Sequence, residues 1–190
     1  MRWSYDEKPG IQALAPVAPD RPPQPARPGA GTWQRDYEYR RLGTRTLLAG
    51  IDLASGEVLG VVRPRHRSRE FVEFLEILHA RYDADVKIQV VLDNHSAHRS
   101  EETRRYLAQH PNRFVFVFTP VHASWLNLIE MFFAKLAKQC LRGIRVATVE
   151  ELETRILHYI AWLNEDPVPF RWHWKIESAE SSEIPNAVAN

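Results

Sequence analysis

The sequence predicts an α/β fold in which helices cover the faces of a mixed β-sheet. Segments typical of strands come first, strands and helices then alternate, and two amphipathic helices follow. The chain has 190 residues, of which 44% are hydrophobic, so it can form one domain with a sizeable core. We therefore expect a single domain over residues 1–175 and a flexible tail over 176–190.

The N-terminal segment has the pattern of a short strand. Residues 2–5 are expected to form this strand, which ends at Asp6, and Lys8-Pro9-Gly10 predicts a turn directly after it. Proline then recurs through a segment at about 15–32. Because proline is excluded from helix interiors and central strands, this segment is expected to be an exposed surface loop.

The segments after this loop predict a meander and then an alternation of strands and helices. Strands are expected over 37–40 and 46–52, and Ser55-Gly56 predicts the turn of a hairpin whose second strand covers 57–62. The later elements are expected to be a helix over 68–82 capped by Ser68, a buried strand over 88–92, a helix capped by Ser100, a buried strand over 114–118, a helix over 125–141 ended by Gly143, and a helix opened by a capping box of Thr148 and Glu151.

Charge and cysteine content limit the possible functions. The net charge of +1 is nearly balanced, so any binding of nucleic acid must depend on local basic patches. Cys140 is the single cysteine, which excludes an internal disulfide and fits a reducing compartment. No run of 18 apolar residues predicts a transmembrane helix, and the N-terminus lacks the apolar core of a signal peptide. A cytoplasmic location is expected.

Three acidic residues lie where a metal site can form. Asp6 follows the first strand, Asp93 follows the apolar strand over 88–92, and Glu130 lies in the helix after the next strand. Sites in open α/β sheets form at strand ends, and carboxylates without nearby thiolates favour Mg²⁺ or Mn²⁺ over Zn²⁺. Taken singly, each acid has an ordinary alternative as a turn residue or as a solvated helix residue.

Three motifs around these acids are similar to those of a known family. They cover residues 6–14 (DEKPGIQAL), 92–98 (LDNHSAH) and 119–130 (TPVHASWLNLIE), and 36 residues separate Asp93 from Glu130. In this order and spacing they resemble the acidic motifs of bacterial insertion-sequence transposases of the mariner superfamily. The resemblance spans roughly residues 4–172.

The resemblance implies an RNase H-like fold, with a mixed five-stranded sheet flanked by helices. It implies a DDE catalytic triad of Asp6, Asp93 and Glu130 and two divalent ions, Mg²⁺ or Mn²⁺. Asp6 would bridge both ions, and the other two acids would each hold one. The implied activity is metal-dependent DNA strand cleavage and strand transfer in cut-and-paste transposition, by in-line phosphoryl displacement.

The resemblance also implies partners and a location. The partner would be DNA, comprising transposon ends and a target TA dinucleotide. The assembly would be a homodimer, acting at the bacterial nucleoid without a membrane. Family members carry an N-terminal helix-turn-helix region, which is expected to be absent here because Asp6 lies close to the first residue. The segment after Phe170 departs from the family pattern.

Polar residues beside the acids are expected to support them. Asn94 and His95 directly follow Asp93 and are expected to orient its carboxylate, as outer groups around metal ligands do. His122 and Asn127 are expected to face the scissile phosphate, with structural capping as the alternative. A binuclear metallohydrolase is disfavoured, because the companion His/Asp motifs of such enzymes are missing.

Two basic runs are candidates for contacts with the DNA backbone. Basic runs are also common on solvated surfaces, so the interpretation depends on how close they lie to the acidic site. The candidate residues are Arg40, Arg41, Arg63, Arg65, Arg67 and Arg69.

Two other functions remain open from the sequence. The chain could be a truncated, non-autonomous remnant that binds DNA or a full-length transposase without catalysis. It could also be another RNase H-like nuclease, since a fold does not by itself determine function.

Overall fold

A computed structural model of the chain, which describes residues 1–21, 38–119 and 128–169, contains a mixed five-stranded sheet. In chain order the strands are β1 (Arg2–Pro16), β2 (Tyr39–Asp52), β3 (Val58–Arg63), β4 (Ile88–Leu92) and β5 (Phe114–Phe118). Across the sheet the order is β3-β2-β1-β4-β5. The first three strands are antiparallel, whereas β4 runs parallel to both β1 and β5. The predicted fold class is confirmed.

Helices cover both faces of this sheet. They are α1 (Ser68–Arg81), α2 (Glu101–Gln109), α3 (Ile129–Leu136) and α4 (Val149–Leu163), with a short 3₁₀ helix at Ser96–Arg99 and a π-helical extension of α3 at Ala137–Leu141. One core cluster packs α1 and α2 against the sheet around Tyr5 and Phe74. The other packs α3 and α4 around Leu47 and Ile129.

β1 continues through the Lys8-Pro9-Gly10 segment, where the sequence predicted a turn. The pairing with β2 shifts at this point, so that Pro9 and Gly10 together oppose one residue of β2 in a β-bulge. Gly10 has a φ of +70°, which glycine adopts without strain. The predicted turn was therefore wrong, because a bulge accommodates proline and glycine within a paired strand. Asp6 consequently lies inside β1 and not at its end.

The parallel strands are less buried than predicted. β4 alternates between buried and half-buried residues, and β5 alternates between half-buried and exposed ones. The phenylalanines of β5 pack on the α1/α2 face, whereas Val115 on the other side is 45% exposed. The prediction of fully buried strands was wrong because β5 is an edge strand, whose apolar run is covered on one face only.

Two of the three predicted helix caps are confirmed. The side chains of Ser100 and Thr148 each accept a hydrogen bond at 3.1 Å from the backbone N–H three residues later. Ser68 is instead the first residue of α1. The buried carboxylate of Glu70 accepts a hydrogen bond from the backbone N–H of Arg67 at 2.9 Å, which satisfies the helix start in place of a serine cap.

The predicted hairpin is confirmed: β2 is followed by a turn at Gly56 and then by β3. The strands predicted separately over 37–40 and 46–52 form the single strand β2. Residues 15 and 16 of the predicted proline-rich loop belong to β1, which accommodates Pro16 at its end. Residues 22–32 of that loop, residue 37 of the predicted strand over 37–40, residues 125–127 of the predicted long helix and the predicted tail lie outside the described residues. Cys140 is half-buried beside the α3/α4 core. Within the described residues, no helix is long and apolar enough to span a membrane.

Candidate active site

The acids of the first two motifs lie side by side where β1 and β4 meet. The two strands pair in parallel, and the last pair in register is Ser4 with Val91. Asp6 and Asp93 each lie two residues beyond this pair. Because neighbouring strands are about 4.8 Å apart, the two acids lie beside each other just beyond the end of this parallel ladder.

Glu130 approaches the same point from α3. It is exposed in the first turn of this helix, and the backbone N–H of the preceding Ile129 donates to Ser4 Oγ at 3.3 Å. Side chains alternate along a strand, so Ser4 and Asp6 lie on the same face of β1. The hydrogen bond therefore anchors the start of α3 over the face of β1 that carries Asp6.

The pKa of Asp6 reports how close these acids are. Burial is the largest cause that raises the pKa of Asp6, from its ordinary 3.8 to about 7, and the hydrogen bond from the backbone N–H of Glu7 opposes it. The negative charge of Glu7 raises the pKa further. The charges of Asp93 and Glu130 make smaller contributions in the same direction. The three predicted acids thus form one electrostatic cluster.

A family model described as DDE superfamily endonuclease matches residues 15–153, which is well over half of the chain. The chain belongs to this family. The matched span contains Asp93 and Glu130 and begins after Asp6. Membership of the family implies dependence on a divalent metal ion.

Individual relatives agree with the family. The insertion element IS630 uncharacterized 39 kDa protein of Shigella sonnei is 26% identical over 141 residues, covering 71% of this chain and 41% of the relative. Two solved structures, a Mos1 transposase paired-end complex with a left transposon end and a Mos1 strand transfer complex, match with a TM-score of 0.57 at 15% identity. Each match covers 84% of this chain and 47% of the Mos1 chain. The Mos1 likeness supports the RNase H-like fold, and the chain spans less than half the length of these relatives.

The acidic cluster of this DDE domain fits a divalent cation. Adding negative charge to Asp6 is unfavourable in the protein alone, as its pKa of about 7 indicates, and a bound dication offsets that repulsion. The donor atoms are carboxylate oxygens, which suit Mg²⁺ and Mn²⁺. Among the described residues, the group of three whose potential ligand atoms all lie within 4.8 Å of one another is Glu7, His95 and His98, and not Asp6, Asp93 and Glu130.

The opposite face of β1 carries a different acid. Glu7 is largely buried and accepts hydrogen bonds from Tyr5 Oη at 2.8 Å and from His98 Nε2 at 3.0 Å. Burial by itself would raise the pKa of Glu7, but the hydrogen bond and charge of His98 outweigh it and hold the pKa below its ordinary value. Burial would likewise lower the pKa of His98, but Glu7 raises it. The two groups therefore stabilise each other's charged forms.

The predicted supporting residues take several positions. The backbone N–H of His95 donates to Asp93 Oδ1 at 3.0 Å, so this residue holds the carboxylate through its main chain. The side chain of Asn94 donates to the carbonyl of Thr119 at 3.1 Å and accepts from Arg99, which ties the ends of β4 and β5 together. His122 and Asn127 lie outside the described residues.

The basic run at 63–69 lies near the Asp93 turn. His66, in the middle of this run, has its ring 6.0 Å from that of His95. Arg67 and Arg69 are exposed and both bind the carboxylate of Glu70, and Arg63 pairs with Glu73. Arg65 is also exposed. Three of these four arginines are thus held by glutamates of α1.

The basic run of Arg40 and Arg41 lies far from the acids. These residues pair with Ala15 and Leu14, whereas Asp6 pairs with Ala49. Arg41 lies eight positions before Ala49 on β2, which corresponds to roughly 27 Å along a strand. The structure therefore does not bring this run to the acidic cluster.

Two residues of the site were missed by the sequence reasoning. Glu7 was not singled out from the sequence, although its position two residues after the apolar Tyr5 places both on one face of β1. His98 appeared only as the last residue of the motif over 92–98. Its partner Glu7 is 91 residues away, and no local periodicity predicts such a pair.

Proposed function

We propose that the chain is the catalytic domain of a DNA transposase, which cuts DNA strands and joins them to a target. The proposed catalytic residues and metal ligands are Asp6, Asp93 and Glu130. The observation that supports this proposal most directly is the arrangement of the elements that carry these acids. Asp6 and Asp93 both lie two residues beyond the last pair of the β1–β4 ladder, and Ser4 of β1 binds the start of the helix that carries Glu130. The chain also belongs to the DDE endonuclease family.

Each residue has a proposed role. Two divalent ions, Mg²⁺ or Mn²⁺, would when bound activate the attacking oxygen and stabilise the leaving oxygen of an in-line phosphoryl displacement. By the family resemblance, Asp6 would contribute to holding both ions. Asp93 and Glu130 would each bind one ion, and the main chain of His95 would hold the Asp93 carboxylate in place.

We further propose a substrate and an assembly. The similar Mos1 structures are a paired-end complex with a left transposon end and a strand transfer complex, which supports DNA with transposon ends as the substrate. The TA dinucleotide is proposed as the target from the resemblance of the motifs. Arg65, Arg67 and Arg69 are the proposed backbone contacts near the scissile phosphate. Arg40 and Arg41 would contact DNA farther away. The active assembly is proposed to be a homodimer that works at the nucleoid.

The test is cleavage of supercoiled plasmid DNA with Mg²⁺ or Mn²⁺ by the wild-type chain and by Asp93→Asn. A matched control is Asp85→Asn, which alters an exposed aspartate in the loop before β4. We expect metal-dependent nicking by the wild type and the control. In Asp93→Asn the rate should fall at least about 10³-fold, because a metal ligand contributes several kcal/mol of transition-state stabilisation.

A folded wild-type chain that nicks no DNA with either ion would contradict this proposal. That result would favour a remnant that binds DNA or a full-length transposase without catalysis. Nicking confined to branched or RNA-containing substrates would instead indicate another RNase H-like nuclease.

A further inference from the structure

We propose that His98 is a positioning residue that holds the Asp93 end of β4 against the Asp6 segment of β1. It would keep the two carboxylates at the separation that metal binding needs, without touching metal or DNA. This inference rests on the proposed function, because it assigns a role within the same site.

The need for such a link follows from the strand pairing. The parallel ladder between β1 and β4 ends at Ser4 and Val91. Asp6 and Asp93 lie beyond it, so the ladder itself does not define their separation. A metal site tolerates little variation in the positions of its ligands, so groups that lock their geometry are needed.

His98 bridges the two strands at this point. Its ring is almost fully buried, Nε2 lies 3.0 Å from Glu7 Oε1, and Nδ1 lies 3.1 Å from both the carbonyl oxygen and Oδ1 of Asp93. All these partners are oxygen acceptors, so both ring nitrogens must donate hydrogen bonds. The ring therefore connects β1 to Asp93 with charge-assisted hydrogen bonds at both ends.

The link continues from Glu7 to Asp6. The carboxylate of Glu7 is also bound by Tyr5 Oη at 2.8 Å, and its backbone N–H donates to Asp6 Oδ1 at 2.7 Å. The same residue thus receives His98 through its side chain and orients Asp6 through its main chain. One continuous set of hydrogen bonds connects the two carboxylates.

The surroundings keep the His98 ring in one orientation. The ring packs 4.5 Å from that of Phe71 and 5.6 Å from that of Tyr5. The 3₁₀ helix that carries it is held by Thr103 Oγ1, which donates to the carbonyl of Ala97 at 2.8 Å. A buried, packed ring whose two nitrogens both donate hydrogen bonds can hold Asp93 at a fixed distance from Glu7.

The test is a titration of Mn²⁺ into the whole chain, followed by electron paramagnetic resonance of free Mn²⁺. The variants are His98→Leu, Glu7→Leu and the double variant. Loss of a group that orients a ligand typically weakens metal affinity about 10–100-fold, and we expect this for each single variant. His98→Gln, which retains one donor, should lose less. His110→Leu is the matched control, since His110 also bonds a backbone carbonyl, at the far end of α2.

The double variant separates positioning from folding. Replacing both partners of a buried ion pair by apolar residues restores much of the stability that one replacement loses. If His98 positions Asp93, the double variant regains thermal stability while its Mn²⁺ affinity stays at least about tenfold low. A purely structural role predicts that affinity and stability recover together.

Three results would overturn the inference. The first is wild-type Mn²⁺ affinity in folded His98→Leu or in the double variant. The second is binding of Zn²⁺ that depends on Glu7 and His98 and leaves Mn²⁺ binding unchanged, because these residues would then be ligands of a separate site. The third is a wild type that binds no Mn²⁺ at all, which would remove the proposed function as well; the first two results leave that function intact.

Discussion

Asp6 and Glu7 are adjacent acids on β1, but their side chains lie on opposite faces of the strand and their pKa values are shifted in opposite directions. On the α3 face, the pKa of Asp6 rises to about 7 through burial and the charges of neighbouring acids. On the α1 face, burial of Glu7 is outweighed by His98, and its pKa falls below the ordinary value. Glu7 is paired with the cationic ring of His98, whereas Asp6 lies near other negatively charged carboxylates.

We propose that the Asp6 face is the one that binds metal. Like charges are held together only where another interaction compensates their repulsion, and such perturbed groups concentrate at functional sites. Glu7 and His98 already neutralise each other, which suits the positioning role proposed for His98. The Asp6 cluster needs a cation from solution, so it is the face on which we expect metal-dependent chemistry.

The largest effect should follow from removing a charge on the Asp6 face. Glu130→Gln should lower the rate of metal-dependent plasmid nicking by about 10³-fold, because it removes a metal ligand. Glu101→Gln is the matched control, since Glu101 is an exposed glutamate in the first turn of α2. Equal nicking rates for Glu130→Gln and wild type would exclude Glu130 from the site.

The next effect should come from breaking the pair on the Glu7 face. His98→Leu should lower the free energy of unfolding by about 3 kcal/mol at pH 7, because a buried carboxylate loses its charged partner. Urea unfolding measures this loss. The double variant with Glu7→Leu should be more stable than His98→Leu alone. If adding Glu7→Leu lowered the free energy of unfolding further, the claim that Glu7 and His98 compensate each other's charge would be wrong.

Asp6 should destabilise the metal-free protein above neutral pH. Its pKa is raised from 3.8 to about 7, so the folded state keeps a proton that the unfolded chain releases between these values. Stability from this group is therefore present at low pH and is lost as pH rises towards 7. Asp6→Asn should raise the free energy of unfolding at pH 8 by about 2 kcal/mol, less than the full shift implies because solvent screens a partly exposed group.

Urea unfolding without metal at pH 8 and pH 4 checks this sign. The stabilisation by Asp6→Asn should shrink at pH 4, where the wild-type carboxyl is protonated in the folded state. Saturating Mg²⁺ should reverse the ranking at pH 8, since ligand binding stabilises only the form that binds it. If Asp6→Asn were less stable than the wild type at pH 8 without metal, the claim that the ionised Asp6 carboxylate destabilises the metal-free protein would be contradicted.

The smallest effect concerns Tyr106, whose buried hydroxyl has no hydrogen-bond partner among the described residues. Burial raises the pKa of Tyr106 to about 12, so the hydroxyl stays neutral. Tyr106→Phe should change the free energy of unfolding by less than about 1 kcal/mol, and towards higher stability, because it removes an unpaired polar group. Thermal unfolding measures the change, and a clear loss of stability would show that the hydroxyl has a partner.

The sequence predicted those parts of the fold that local patterns encode. The strand over 88–92, the helix after Ser100 and the hairpin at Gly56 follow from periodicity, capping and turn chemistry. The course of β1 through Pro9 and Gly10 did not, because a bulge and a turn share the same residues and only the pairing with β2 distinguishes them. The exposure of β5 depends on its place at the sheet edge, which is a property of the whole sheet.

In the candidate site too, some residues follow from local sequence patterns and others depend on the folded sheet. Asp6, Asp93 and Glu130 could be proposed from the sequence because each lies in a motif with a recognisable order and spacing. Glu7 and His98 could not, because their pairing exists only after β1 and β4 come together. The distance of the basic residues from the acids also depends on the tertiary structure, because the register between β1 and β2 places Arg41 far from Asp6.

The most direct test of the two-faced strand is a carboxyl NMR titration of Asp6 and Glu7, without metal and then with Mg²⁺. The account predicts that Asp6 titrates near pH 7 and Glu7 below its ordinary value. Adding Mg²⁺ should shift the resonance of Asp6 and lower its apparent pKa, because the ion binds the ionised form, and should leave Glu7 nearly unchanged. An Asp6 carboxyl that titrates near 4 and does not respond to Mg²⁺ would contradict the central claim.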